Sequence, residues 1–244
     1  MSVMVDTGPA LSIAEQAFES DIFGAPVWRL TVAPDERVKK SSIEEMVNHA
    51  RSEGVALIAC RLPERSPARY SLRDSGFRKV ERLVTLYRPL PVEMEMPDGV
   101  EIGSGDDTAA AVEVGRTVFN FDRYHADPEI PKDIADAIKA DWVRNGMNGR
   151  ADAPFVARVD GKLAGFNLCM RHGDDAVIDL IGVADGYQGR GIGASLVTGA
   201  IVHYSGRARR MRVGTQENNT VSLAMYRRAG FEPHDVAETW HWTK

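Results

Sequence analysis

Apolar residues recur along this chain with two periods, about two and about 3.6 residues, and the switches between them mark out the elements. Residues 13–33, which carry FESDIFGAPVWRLTV, read as a loop feeding a strand. Ser41-Ser42-Ile43-Glu44-Glu45 suits a capping-box start. Ile43, Met46, Val47 and Ala50 then form an apolar helical stripe that ends near Gly54. The continuous run VALIACRL predicts a strand buried on both faces. RYSLRDSGF leads into another alternating strand, and the Pro-rich, acidic stretch 91–99 reads as a linker. Beyond it, DDTAAAVEVGRTVF has a helical pattern, FNFDRYHADPEIP is a polar-aromatic loop, and Ile134, Ile138 and Trp142 define a helix starting at Pro131. FVARVDGKLAGFNLCMR predicts a hairpin turning at Asp160-Gly161. The strand VIDLIGV follows. A helix then carries Ile192, Leu196, Ala200 and Tyr204, and an alternating strand carries Met211, Val213 and Thr215. A short helix ending at Gly230 and a final strand complete the pattern.

The chemistry is concentrated where the strand VIDLIGV meets its helix. Gln188-Gly189-Arg190-Gly191-Ile192-Gly193 places three alternate glycines at the join. Glycine lets a ligand reach the backbone. The first N–H groups of a helix lack intrahelical partners and face outward with the positive end of the dipole behind them. Such a loop is a cradle for phosphate or pyrophosphate. A P-loop is excluded, because no lysine follows the glycines. The dinucleotide pattern G-x-G-x-x-G/A is met formally by Gly189, Gly191 and Ala194. In that fold, however, the first glycine ends the strand directly. Here ADGYQ intervenes, and the upstream elements look like hairpins rather than a βαβ unit. The segment resembles the Q-x-x-G-x-G pyrophosphate loop of the GNAT superfamily of acyl-CoA-dependent N-acyltransferases. A glycine-rich turn with no ligand is the bland alternative.

The next segment, RMRVGTQENNTVSLAMYRRAGF, separates these readings. GNAT enzymes carry N-x-x-[AS]-x-x-x-Y-x-x-x-G-F after a strand at this distance, and Asn219, Ser222, Tyr226, Gly230 and Phe231 fall on those positions. The resemblance implies an α/β (α+β) fold with a mixed, mostly antiparallel central sheet flanked by helices. It also implies acetyl-CoA as co-substrate. Ile181, Gly182 and Val183 would lie beside the thioester, where a backbone N–H could hold the oxyanion. Gln188, Gly189, Arg190, Gly191, Ile192, Gly193 and Ala194 would cradle the pyrophosphate, with Asn219, Ser222 and Tyr226 completing the cofactor site. Tyr226 also has a reading of its own. A phenol with pKa about 10 stays protonated beside a departing thiol of pKa about 8.5 and can supply the proton. A tyrosine packed on a helix–sheet seam is the plainer alternative. Asp179 and Glu217 are candidate bases, and each is equally readable as a solvated or paired carboxylate.

A second copy of the pattern lies upstream. Leu72-x-x-x-Gly76-Phe77 and its following strand repeat the layout of Tyr226-x-x-x-Gly230-Phe231, without a glycine loop and with leucine in place of tyrosine. The expected organisation is a degenerate GNAT-like lobe over 1–90, a linker over 91–99 and a catalytic domain over 100–244. With FESDIFG, the FDRYH loop and the closing ETWHWTK, the chain resembles the TDP-fucosamine acetyltransferases. Those are two-lobed enzymes that acetylate the 4-amine of dTDP-4-amino-4,6-dideoxygalactose. The resemblance implies direct attack of the amine on the thioester. Arg123, Tyr124 and His125 form a cationic-aromatic patch suited to a nucleotide diphosphate and its base. His241 could line the acceptor site. An ordinary loop and a packed histidine are the alternatives.

Composition narrows the field. The chain has 244 residues, 43% of them hydrophobic, enough to bury a sizeable core. A net charge of −5 argues against a nucleic-acid scaffold. No run approaches the roughly 18 apolar residues of a transmembrane helix, and the N-terminal residues lack a signal-peptide pattern. Cys60 and Cys169 sit in apolar runs and read as buried thiols of a cytoplasmic protein. Six scattered histidines offer no metal spacing, so no metal is expected. The expected partners are a small-molecule amine and at most a second copy of the chain, with neither nucleic acid nor membrane. Acetylation of a protein N-terminus or lysine, and a non-catalytic acetyl-CoA-binding module, remain as competing functions.

Overall fold

Alternation between strand and helix carries the chain through two compact units. In the computed structural model, residues 5–6, 11–33 and 36–244 are described. One unit comprises residues 1–83, 122–134 and 236–244; the other comprises 84–121 and 135–235.

The first unit contains β1 (Val5–Asp6), β2 (Leu11–Glu15), α1 (Ala17–Phe23), β3 (Val27–Val32), α2 (Lys40–Ser52), β4 (Leu57–Pro63) and α3 (Ala68–Asp74). It also holds the start of β5 (Arg78–Pro89) and the end of the chain's last strand, β11 (Glu232–Thr243). β2 pairs antiparallel with β1 and β3, β3 runs parallel to β4, and β4 runs antiparallel to β11. The α2 stripe Ile43, Met46, Val47 and Ala50 is buried as its spacing predicts. It joins Leu30, Ile58, Cys60, Leu62, Leu72, Phe77, Trp240 and Trp242 in one apolar core. Strand alternation sends Arg61, Thr239 and His241 to the opposite face of β4 and β11.

One early expectation is corrected here. Residues 17–23 of the supposed opening loop are helical, and a strand, β2, precedes them. α1 escapes periodicity because its buried residue is a carboxylate, Glu19, rather than an apolar stripe. Gly24 closes it in the left-handed conformation.

The second unit contains the rest of β5, then β6 (Val100–Ile102), α4 (Thr108–Thr117), α5 (Lys132–Asn145), β7 (Ala153–Val159), β8 (Lys162–His172), β9 (Asp175–Val183), α6 (Ile192–Tyr204), β10 (Arg210–Gln216), α7 (Thr220–Arg228) and the start of β11. β6 to β9 form an antiparallel run, and β10 adds to β9 in parallel. Successive residues of β7 serve both faces. Val156 joins the core with Val112, Val143, Phe166 and Leu168, while Phe155 meets His203 of α6 at 5.4 Å. Sheet and flanking helices thus have the mixed α/β arrangement expected. Both cysteines are buried free thiols. Among the described residues, no helix is long and apolar enough to cross a membrane.

Candidate active site

The site begins with a defect in a ladder. β8 and β9 pair Leu168 with Leu180 but Cys169 with Ile178, so Asp179 is an extra residue in β9. A bulge of this kind bends and twists its strand. On the other edge of β9, the parallel ladder to β10 stops at Ile178 and Val213, although both strands continue. Beyond the bulge the two central strands therefore part.

The backbone groups that line the opening follow from the register. Ala184 N–H donates to Ala164 O at 2.9 Å, which turns residues 182 and 184 toward β8. Alternation then turns Ile181 and Val183 the other way, toward the opening. Gln188 Nε2 donates to Val183 O at 3.1 Å and to Asp185 Oδ1 at 2.9 Å. The Ile181 N–H and C=O and the Val183 N–H are left facing the gap. Gly182 contributes differently from its neighbours. Its peptide belongs to the β8 side, and a Cβ there would lie 3.0 Å from Phe166 and Val118.

β9 leads through residues 184–191 into α6. Gly191 is the N-cap, at φ 81°, and brings no side chain to cap the helix. Any Cβ would be strained at that angle. The space a Cβ would occupy at Gly189 or Gly191 is open. Ser195 N–H is the first to return to the loop, donating to Gly191 O at 3.0 Å. The N–H groups of Gly189 to Ala194 take no acceptor among the described residues. Together with the helix dipole they form an anion cradle. Arg190 is exposed beside it, its guanidinium 5.4 Å from the Tyr187 ring.

α7 closes the third side. Asn219 caps it, Oδ1 accepting from Ser222 N–H at 3.2 Å. A Cβ on Gly193 would lie 3.0 Å from Met225 Sδ and 3.7 Å from Val183 Cγ2, so the start of α6, α7 and the end of β9 converge. One residue beyond Met225 is Tyr226. Its ring is 2% exposed and packs edge-on against Phe231 at 5.7 Å. Burial first, and Cys169 second, push its phenol above the ordinary range. No protein hydrogen bond engages its hydroxyl among the described residues. The residue is thus a protonated donor with its proton uncommitted.

The remaining predicted residues are placed as follows. Asp179, at the bulge, accepts from Arg150 Nη1 at 2.7 Å and is partly exposed. Arg123, Tyr124, His125 and His241 all belong to the first unit. Tyr124 is 1% exposed, donates to Glu19 Oε1 at 3.1 Å and accepts from Arg123 Nη2 at 2.5 Å. Its phenol is pushed up to about 12, chiefly by burial. A ring so enclosed presents no open face on which a base could stack. His125 Nδ1 lies 2.6 Å from Asp122 Oδ2, and His241 Nδ1 lies 2.9 Å from Asp127 Oδ2.

Sequence reasoning missed Asn167, which is wholly buried on β8 and donates to Leu196 O of α6 at 3.1 Å. A lone amide inside the apolar run FNLCM was the available signal. It also missed Arg61 and Glu81, which pair at 2.7 Å, and Glu19, which lies 3.6 Å from Arg123.

Residues 118–231 match the acetyltransferase (GNAT) family. That match covers a little under half of the chain. Over 165 residues the chain is 32% identical to the spore coat polysaccharide biosynthesis protein SpsD of Bacillus subtilis, covering 66% of this chain and 57% of that protein. The match thus spans little more than half the length of SpsD. Mycothiol acetyltransferase of Streptomyces griseus is 27% identical over 93% of this chain and 75% of its own. A GCN5-related N-acetyltransferase from Kribbella flavida shares the fold, with a TM-score of 0.66, 18% identity and coverage of 98% of this chain and 89% of that one. The likeness to acetyltransferases thus centres on residues 118–231. The parted strands, the N–H cradle and Tyr226 all lie within the matched residues.

Proposed function

We propose that the chain transfers an acetyl group from acetyl-CoA to a primary amine, the 4-amino group of a nucleotide-linked amino sugar. The observation that carries this reading is the convergence in one unit of a bare N–H run, an open strand edge and a protonated, uncommitted phenol. The cradle from Gly189 to Ala194 suits a pyrophosphate. The edge of Ile181 and Val183 suits an extended pantetheine arm, which would pair with it as an added strand does. Acetyl-CoA, once bound, supplies an activated thioester and a thiol leaving group. The chain's own residues do the rest. The Val183 or Ile181 N–H supports negative charge on the acetyl oxygen, and Tyr226 delivers its proton to the departing sulfur.

The sugar acceptor is supported by SpsD, whose name places that protein in polysaccharide biosynthesis. In this reading Arg123, His125 and His241 serve the acceptor, Tyr124 acts by holding Arg123, and Asp179 serves the reaction through its pair with Arg150. A second small-molecule reading has an observation of its own, because the mycothiol acetyltransferase match runs over nearly the whole chain. The acceptor of that enzyme is therefore the first alternative amine. Cytoplasmic residence fits two cysteines that are both free thiols.

The test is CoA thiol release from acetyl-CoA with dTDP-4-amino-4,6-dideoxygalactose, and with lysine peptides in parallel. Release that depends on the sugar supports the proposal. Release with peptide alone keeps the acetyltransferase and discards the sugar.

A further inference from the structure

The strand that lines the opening has one position without a side chain. Val183 turns toward α6, since a Cβ on Gly193 would lie 3.7 Å from Val183 Cγ2. Side chains alternate along a strand, so Ile181 turns with Val183 and Gly182 faces the other way. That way lies α4. Leu180, on the same side as Gly182, packs in one core with Val112 and Val114 of α4. Gly182 is thus a notch between two larger neighbours, on the side of β9 opposite α6.

The notch has a floor. A Cβ on Gly182 would lie 3.0 Å from Val118 Cγ2 and 3.0 and 3.1 Å from two atoms of the Phe166 ring. Even one added carbon is therefore crowded there. Phe166 pairs with Gly182 across β8 and β9, is fully buried, and shares its core with Val156, Leu168 and Leu180. A ring packed at interior density has little room to retreat. Val118 caps the end of α4, its N–H donating to Val114 O at 3.2 Å. Almost one turn earlier, a Cβ on Gly115 would lie 2.5 Å from Val143 Cγ2. The bare Gly115 lets α4 close tightly on α5, which fixes where α4 ends. Val118 itself is only partly buried, so it borders the opening. Its β-branched side chain is stiff at χ1 and cannot easily swing aside.

The cradle at the start of α6 stands on the Val183 side. A donor held there by its pyrophosphate enters from α6, and its acyl group ends over Gly182. We propose that Val118 and Phe166 set the length of the acyl group this chain transfers and restrict it to acetyl. This rests on the acetyl-CoA reading above and concerns the donor, whatever the amine. Each methylene beyond the acetyl methyl meets the two surfaces that crowd a Cβ. A pocket that measures chain length in this way separates homologues by about 10- to 200-fold per methylene.

The experiment is calorimetric binding of CoA, acetyl-CoA, propionyl-CoA and butyryl-CoA to wild type, Val118→Ala and Val118→Thr, which needs no acceptor. Wild type should bind butyryl-CoA at least about tenfold more weakly than acetyl-CoA. Val118→Ala should shrink that gap below about threefold while affinity for CoA itself holds, because the cradle is untouched. Val118→Thr, which keeps the shape of valine, should keep the gap. A gap of one size in wild type and Val118→Ala overturns the proposal, as does a wild type that binds all three acyl-CoAs alike. Either result leaves acetyl transfer to an amine in place. Should Val118→Ala fail to fold, Phe166→Leu opens the same wall from β8 and decides in its stead. A narrowed gap there supports the proposal, and an unchanged one refutes it. Failure of wild type to bind acetyl-CoA removes the cofactor reading and this proposal with it. A gap that narrows as expected in an enzyme acetylating neither sugar nor peptide supports the proposal and discards only those acceptors.

Discussion

The two units contain the same run of elements with opposite chemical outcomes. In the first, β3, α2, β4, α3 and β5 follow one another; in the second, β9, α6, β10, α7 and β11 do. α2 and α6 each have 13 residues, β4 and β10 each have 7, and β5 and β11 each have 12. Both units pair the first two strands of the run in parallel over four positions and then stop, at Leu30 with Cys60 and at Ile178 with Val213. Both close the second helix alike. Phe77 N–H donates to Leu72 O and Phe231 N–H to Tyr226 O, each at 3.0 Å, with Gly76 at φ 89° and Gly230 at φ 80° between. Two things differ. Residues 33–39 contain no glycine where 184–191 contain three, and Leu72 stands where Tyr226 stands. The run of elements and the closing turn are thus separable from the glycine loop and the phenol.

The comparison can be broken most directly at its two matched side chains. Tyr226→Phe should lower kcat by about 10²–10⁴ with little change in KM for acetyl-CoA, a size typical of general-acid catalysis. Unchanged turnover would make Tyr226 as structural as Leu72. Leu72→Ala should do the reverse. Leu72 is fully buried, so truncation costs about 2–5 kcal/mol of stability. Thermal denaturation should register that loss while kcat, measured well below the melting point, holds. Gly191→Val attacks the cradle through both its φ of 81° and the open space above it. Acetyl-CoA binding, followed by calorimetry, should weaken tenfold or more, a loss of about 1.4 kcal/mol. Val38→Ala, in the matching connection of the first unit, should leave that affinity alone. The smallest effect is expected from Asn219→Ala, which removes the cap of α7 and costs about 1 kcal/mol.

A pH titration of stability sharpens the same contrast. His241 and Asp127 both have folded values below their ordinary ones. Groups depressed in this way stabilise the fold above their unfolded pKa and lose that contribution as pH falls. The first unit should therefore weaken in two stages, below pH 6.5 as unfolded histidine gains protons and again below 3.8 as unfolded aspartate does. Melting temperatures of wild type and His241→Phe, compared from pH 7.5 to 3.5, check it. The upper stage should shrink in the variant to the part owed to His203 of the second unit, which burial also depresses.

How much of this was legible in the sequence depended on whether the cause was local. The stripe of α2 and the glycine loop are written in adjacent residues, and the structure follows both. The repeat of Gly76-Phe77 in Gly230-Phe231 was visible because one backbone turn demands glycine at one place. α1 was not visible, since what it buries is Glu19, held by Tyr124 more than 100 residues away. The pairing of Asp179 with Arg150, 29 residues upstream, has no local trace either. Nor did any pattern announce that Asp179 is the extra residue of a bulge, because a slip in register belongs to two strands at once. His241 looked like a packed histidine or a ligand-lining one. Only its bond to Asp127 fixes which nitrogen is bare.

The division of strands between the units also sets an order of events during synthesis. The first unit takes in residues 236–244, which pair along β4 from Leu57 to Pro63. A ribosome will have made the first 134 residues, and the whole of the second unit, before that strand exists. Until then β4 has an unfilled edge, and the core lacks Trp240 and Trp242. Unfilled edges of this kind recruit other strands. A nascent chain therefore carries this unfilled edge of β4 until residues 236–244 emerge. Termination between residues 227 and 235 should show itself as aggregation originating in the first unit, even though every residue of the cradle and Tyr226 is intact.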